Sequence, residues 1–189
     1  GQGPLLAGED VSGALPILRV LGQARQTYII AEGPEGWYLV DQHTAHERVL
    51  YEQLQAQVTG PGAASQQLLE PVVLNLDLRQ FGLVSEHLPA LERVGFELEP
   101  FGERAYLLRA APALWKGEIR PDDLLALLDE LERGEAPLSG AREERVMAAV
   151  CKGAAVKAGQ TLSQAEMEEL IRQLERAASP RTCPHGRPT

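Results

Sequence analysis

TYIIAEGPEGWYLVDQHTAHERVLYE, Thr27 to Glu52, is the stretch on which the fold turns. TYIIAE and GWYLVDQ are rich in β-branched and aromatic residues, and the GPEG between them is a hairpin signal. The character of the chain then changes. AHERVLYEQLQAQV, from Ala45, reads as a helix by length and propensity. Val49, Leu50 and Leu54 fall near helical spacing, and Arg48 and Glu52 make an i,i+4 charge pair. A hairpin that hands over to a helix puts Asp41, Gln42 and His43 at the junction. Side chains there stand at the edge of a rigid element, where sites are commonly built.

Outward from this stretch, strands and helices continue to mix. TGPGAAS reads as a loop. In QQLLEPVVLNL, Pro71 divides an extended entry segment from a strand. LRQFGLVSEHLPALERVG reads as a helix closed by Gly95, with Pro89 interrupting its pattern. FELEPFGERAYLLRAAP gives two strands around a turn at Gly102. PDDLLALLDELERG is a helix from Pro121 to a stop at Gly134, with acids in its first turn. SGAREERVMAAVCKGAAVKAG is a helix with Ser139 as candidate cap, and a last helix starts after Ser163. SPRTCPHGRPT is too rich in Pro and Gly for regular structure. The fold class is α+β, with an early hairpin, a middle strand–helix section and late helices.

The 189 residues suffice for one domain or two small subdomains. No apolar run approaches the ~20 residues that cross a bilayer, and the N-terminus carries no secretory pattern. Residues 1–15 read as the tail of a linker. A cytoplasmic protein is expected. The net charge of −9 argues against nonspecific binding to a polyanion, so contact with DNA needs local basic charge, a metal or a further domain. Arg172, Arg176, Arg181 and Arg187 make the end of the chain locally basic. Two cysteines, Cys151 and Cys183, do not make a disulfide framework.

Asp41, His43 and Glu47 offer an acid, an imidazole and a second carboxylate, a donor set suited to Zn²⁺ or Mn²⁺. His43 and Glu47 share a helix face if the helix begins early enough. The spacing equally fits a helix N-terminus capped by Asp41, with His43 and Glu47 solvated. HTAHE lacks the H-E-x-x-H order of zinc proteases, and His46 is expected at the surface. Cys183 and His185 form a C-x-H pair in a turn set by Pro184 and Gly186, or else a flexible tail. Cys151 sits among small apolar residues, where a buried thiol is the default.

Taken together, the motifs resemble the endonuclease-bearing C-terminal domain of the MutL family. That family carries D-Q-H-A-x-x-E-x-x-x-x-E, met here by Asp41 to Glu52 with Thr44 for alanine. Its A-C-R motif falls on Val150-Cys151-Lys152, where only the cysteine transfers. Its C-P/N-H-G-R-P is met in full by Cys183 to Pro188. Gln66-Gln67-Leu68-Leu69-Glu70-Pro71 resembles the family's sliding-clamp-binding segment, with Gln66, Leu68, Leu69 and Pro71 as contacts; the same leucines would equally suit a strand entrance facing the core.

The resemblance implies a dimerisation subdomain with the metal site (16–66 and 141–189) and an inserted external regulatory α/β subdomain (67–140). It implies metal-dependent nicking of one strand of duplex DNA in mismatch repair. Asp41, His43 and Glu47 would be catalytic, and with Cys151, Cys183 and His185 would hold metal. Zinc would be regulatory and manganese activating. Lys152 and Arg187 are candidates for phosphate contact. The implied partners are a second copy of the chain, double-stranded DNA, the polymerase sliding clamp, the mismatch-recognition protein MutS and an N-terminal ATPase region; no membrane is expected. The rival is a zinc-stabilised dimerisation and partner-binding module that cuts nothing.

Overall fold

The computed structural model describes residues 13–60, 62–117, 119–133 and 142–189. The expected linker (1–15, mostly), the Gly134 stop and the Ser139 cap lie outside them. The chain is α+β and divides into two compact units, 1–49 with 156–189, and 50–155. The compact units meet in sequence at 49/50 and 155/156, and residues from Leu50 to Val58 pack in the second unit's core.

The first unit is a three-stranded antiparallel meander: β1 (Arg19–Ala24), β2 (Tyr28–Gly33) and β3 (Gly36–Asp41). The GPEG hairpin closes with Gly33 opposite Gly36. The β1–β2 turn carries two consecutive non-glycine residues with positive φ, Arg25 and Gln26. No glycine or asparagine marks that turn in the sequence, so it escapes a reading based on turn residues. One sheet face buries Val20, Ile29, Ala31 and Val40. Helix α5 (Gln164–Glu175) covers it with Met167, Leu170, Ile171 and Leu174, an i, i+3, i+4, i+7 stripe. Ser163 caps α5 in a reciprocal capping box with Glu166.

Helix α1 runs Gln42–Val58, three residues earlier than expected. Asp41 is the reason. Its Oδ1 accepts from the backbone N–H of His43 (2.9 Å) and of Thr44 (3.1 Å), which satisfies two of the four orphan donors of a helix start. Ala45 and Val49 join the first unit's core.

In the second unit, Leu50, Tyr51, Leu54 and Val58 of α1 pack with a sheet ordered β4 (Ser65–Asn75), β6 (Ala105–Pro112), β5 (Glu97–Pro100). The expected break at Pro71 is instead a bulge in one continuous strand. Pairing with β6 steps from Gln67↔Ala110 to Val72↔Leu108, so Pro71 sits outside the registered pairs and its missing N–H costs nothing. Helix α2 (Leu78–Arg93) continues through Pro89, begins in a capping box of Asp77 with Gln80, and ends with Gly95 at φ 105. The N–H groups of Gly95 and Phe96 bond back to Glu92 and Leu91, a Schellman closure. Helices α3 (Pro121–Arg133) and α4 (Arg142–Ala154) complete the core with Leu124, Leu128, Val146 and Val150. No helix among the described residues is long and apolar enough to cross a membrane.

Candidate metal centre

The first two turns of α1 concentrate the buried polar side chains of the first unit: Gln42, Thr44 and Glu47. Each has a distinct task. Gln42 is fully buried and its Nε2 donates to the carbonyls of Gln26, Lys157 and Gln160, each at 3.0 Å, while its Oε1 accepts from Gln23 at 2.5 Å. It ties the strained β1–β2 turn to the segment that follows α4. Thr44 Oγ1 donates to the Pro188 carbonyl at 3.2 Å, and Arg48 Nε donates to the Thr182 carbonyl at 2.5 Å. These bonds hold the C-terminal motif against α1.

The motif itself is a tight hairpin. Thr182 bridges Pro188, Cys183 N–H donates to the Arg187 carbonyl at 2.8 Å, and Gly186 N–H donates to the Cys183 carbonyl at 2.9 Å. Gly186 adopts φ 79, a conformation that a side chain would strain. The loop Pro184–His185–Gly186 is the three-residue turn with a left-handed last position. It aims the Cys183 thiol and the His185 ring the same way.

Glu47, Cys183 and His185 consequently come together from opposite ends of the chain. One ligand atom from each lies within 4.8 Å of the others, and no other such group of three occurs among the described residues. Glu47 is 0% exposed and the His185 side chain 4%. His185 Nδ1 makes ion-pair contact with Glu47 Oε1, yet neither atom, nor Glu47 Oε2, has a hydrogen bond of acceptable geometry. Buried lone pairs left without donors are costly. Sulfur, nitrogen and oxygen donors converging with unsatisfied lone pairs are the donor chemistry of a zinc site. The residues therefore fit a divalent metal.

Electrostatics agree. His185 is pushed up to about 9, chiefly by its hydrogen bond to Cys183 and then by Glu47, against the opposing effect of burial. Burial raises the Cys183 thiol, but the hydrogen bond from His185 and two backbone bonds outweigh it, and the net shift is downward. The shift makes the Cys183 thiolate more accessible than in a free cysteine, and the thiolate is the form that ligates metal; a metal at His185 would have to displace the ring proton.

The other expected residues divide. His43 stands on the Glu47 face, with Nε2 4.0 Å from Glu47 Oε2. Its Nδ1 bonds the Val156 carbonyl at 2.9 Å. Asp41 is half-buried and caps α1 through Oδ1, so capping and a role in the site are compatible. His46, expected at the surface, is half-buried, and its Nδ1 accepts from Val156 N–H at 3.0 Å. Cys151 belongs to the second unit, fully buried in its core on α4. Lys152, expected near phosphate, donates to Glu130 at 2.6 Å. Arg187 is exposed. In the bulge of β4, Leu69 is 104% exposed, Leu68 packs on the core and Gln66 Nε2 donates to the Trp115 carbonyl at 2.6 Å. Sequence reasoning gave Thr44 no role and set His46 at the surface, because their partners are backbone groups far along the chain.

The fold and this cluster define an α+β domain with a mixed sulfur, nitrogen and oxygen ligand group built from a helix start and a C-terminal turn. Comparison with known proteins makes the assignment specific. The family described as MutL C terminal dimerisation domain matches residues 21–162, and the chain belongs to that family. Among its relatives are proteins named DNA mismatch repair protein MutL. That of Methanoculleus marisnigri is 42% identical over 93% of this chain and 30% of its own length. That of Koribacter versatilis is 39% identical over 92% of this chain and 27% of its own. That of Shouchella clausii is 36% identical over 99% of this chain and 29% of its own. The chain thus spans about three tenths of the length of these curated relatives.

Proposed function

We propose that this domain is the dimerising, metal-dependent DNA-nicking part of a mismatch-repair protein, hydrolysing a phosphodiester in one strand of duplex DNA. The observation that carries the reading is the convergence of Glu47, Cys183 and His185 in one buried place, where the Glu47 carboxylate has no hydrogen bond of acceptable geometry. With His43 they would hold zinc, and the resemblance of the motifs adds Cys151. Manganese would be the activating ion, since a phosphate-directed ion prefers oxygen ligands. Such an ion supplies Lewis-acid stabilisation of the charge that builds on a phosphodiester attacked by water. Asp41 would orient that water with the carboxylate oxygen its cap does not use. The exposed Arg187, beside the ligand turn, would meet phosphate. Lys152 is a weaker candidate, because Glu130 already holds it.

Surfaces support two of the proposed partners. One face of the β1–β2–β3 sheet exposes Trp37 (82%) and Leu39 (60%), with Ile30 opposite Leu39. Apolar faces of this kind are unusual on monomers, and a second copy of the chain is the occupant in keeping with a dimerisation domain. The Gln66–Pro71 segment, whose residues 68–71 bulge out between the Gln67 and Val72 pairs, would dock on the sliding clamp as an extended peptide. The second unit would then be regulatory, and an ATPase region of the same protein and MutS would complete the assembly.

One observation favours a second reading. The cluster is nearly shut off from solvent, which leaves little room for the open ligand position of a catalytic zinc site, so a zinc-stabilised dimerisation module without nuclease activity is the rival. Supercoiled plasmid incubated with Mn²⁺, clamp and protein decides between them. Asp41→Asn is expected to abolish nicking while leaving thermal stability and zinc content unchanged, since asparagine caps helices as well as aspartate. Equal nicking by the variant, or none by the parent, removes the catalytic assignment.

A further inference from the structure

We infer that His46 is a positioning residue for the metal centre, acting through the peptide groups of Val156 on the ring of His43; the inference rests on the metal-site reading above. His46 occupies a position that the D-Q-H-A-x-x-E motif leaves open, and the proposed chemistry does not use it. The geometry gives it a task. Val156 N–H donates to His46 Nδ1 at 3.0 Å. The carbonyl of the same residue faces His43 Nδ1 at 2.9 Å. A backbone N–H only donates and a carbonyl only accepts, so the two rings are driven into opposite tautomers. His46 carries its proton on Nε2. His43 carries its proton on Nδ1.

The consequence falls on His43 Nε2. With the proton held on Nδ1, that atom presents a lone pair, and it is the atom 4.0 Å from Glu47 Oε2. Ligating histidines are commonly fixed in this way, by a bond from the other ring nitrogen to a carbonyl. Here the carbonyl is itself fixed. Val156 lies just beyond the end of α4 at Ala154, outside any regular element, so no helical or strand ladder holds the two successive peptide planes that carry its N–H and its carbonyl. His46 supplies that hold from α1. Gln42 reinforces it one residue on, donating to the Lys157 carbonyl at 3.0 Å. His43 and His46, one turn apart on α1, therefore grip both polar groups of a single residue.

The test begins with ¹⁵N spectra of ring-labelled histidine in metal-free protein, which report the tautomer of each ring and need neither metal nor DNA. The parent is expected to show His43 protonated on Nδ1 and His46 on Nε2; the opposite assignment of either ring overturns the inference without any variant. His46→Ala is expected to mix the His43 tautomers and to weaken zinc, measured by chelator competition, about ten- to a hundredfold. His46→Asn, whose side-chain oxygen can accept from Val156 N–H, is expected to restore both. A fixed His43 tautomer in His46→Ala, or an asparagine variant no better than alanine, overturns the inference. A parent with the expected tautomers that binds no zinc or nicks no DNA would instead count against the function proposed above, so the two failures are distinguishable.

Discussion

Each unit of the molecule buries a histidine, and the two are opposites. His185 lies between the Cys183 thiol and the Glu47 carboxylate and is pushed up to about 9. His87, on α2 in the second unit, is held below the ordinary 6.5 by burial first, with Glu86 opposing and Arg142 and Arg145 adding to the effect. Burial alone therefore does not mark a site, because what the ring is buried against decides its charge. The same contrast separates the cysteines. Cys183 sits in a turn beside acid and imidazole, whereas Cys151 sits among Val146, Met147 and Val150 in an apolar core. The first unit buries an acid, a thiol and an imidazole side by side, whereas the core of the second is mainly hydrocarbon.

The largest expected effect tests the first half of that contrast. Glu47→Ala strips the carboxylate from a buried centre and leaves His185 with the Cys183 thiol but without its ionic partner. Removing one member of a buried ionic pair typically costs about 3–5 kcal/mol. Denaturant unfolding of the metal-free protein should show a loss of that size, together with the loss of bound zinc. A cost below about 1 kcal/mol, near the value of an exposed pair, would mean that the first unit tolerates an empty centre as easily as a surface.

The two histidines give a smaller effect, with opposite signs in pH. In metal-free protein His185 keeps a proton that the unfolded chain releases, so its contribution is complete below pH 6.5 and is lost as pH rises through about 9. His87 refuses a proton that the unfolded chain takes up. Its contribution is present above pH 6.5 and is lost as pH falls below that value. The Cys183 thiol, lowered from 9.0, works against His185, because its contribution fades as pH falls. Bulk stability therefore blends the two, and a ¹⁵N-histidine titration separates them. One ring should titrate near 9 and another below 6.5, with the first pinned by added zinc. Similar midpoints for both rings would dissolve the comparison.

The sequence made the local parts of this picture legible and left the long-range parts hidden. The hairpin at GPEG, the leucine stripe of α3, the helix start after Ser163 and the turn imposed by Pro184 and Gly186 are decided within a few residues. Each was readable from residue type and spacing. The early start of α1 stayed open because Asp41 could be read as cap or ligand, and only the bonds from His43 and Thr44 N–H identify it as a cap. The Arg25–Gln26 turn was missed because its strain is borne without glycine. Glu47, Cys183 and His185 could be proposed through motif resemblance, but nothing in their spacing brings them together. Thr44, Arg48 and Gln42 do that, by bonding backbone groups of residues 157 to 188, and a bond to a peptide group leaves no mark on the identity of its partner.

The smallest stability effect is expected in the second unit, where function should separate from folding. Gln66 and Leu69 belong to the same segment but do not stand alike. The Gln66 amide is bonded to the Trp115 carbonyl, so Gln66→Ala should cost about 1 kcal/mol of stability and confuses any binding result. Leu69 is fully exposed on the bulge. Leu69→Ala should therefore change stability by no more than about 0.5 kcal/mol. If the segment docks on the clamp, the same substitution should weaken that complex at least about tenfold, as the loss of a central apolar anchor does. Surface-bound clamp titrated with parent and variant measures this directly. Unchanged affinity would leave an exposed leucine with no partner, and the bulge would then be only the detour that lets Pro71 lie within an edge strand.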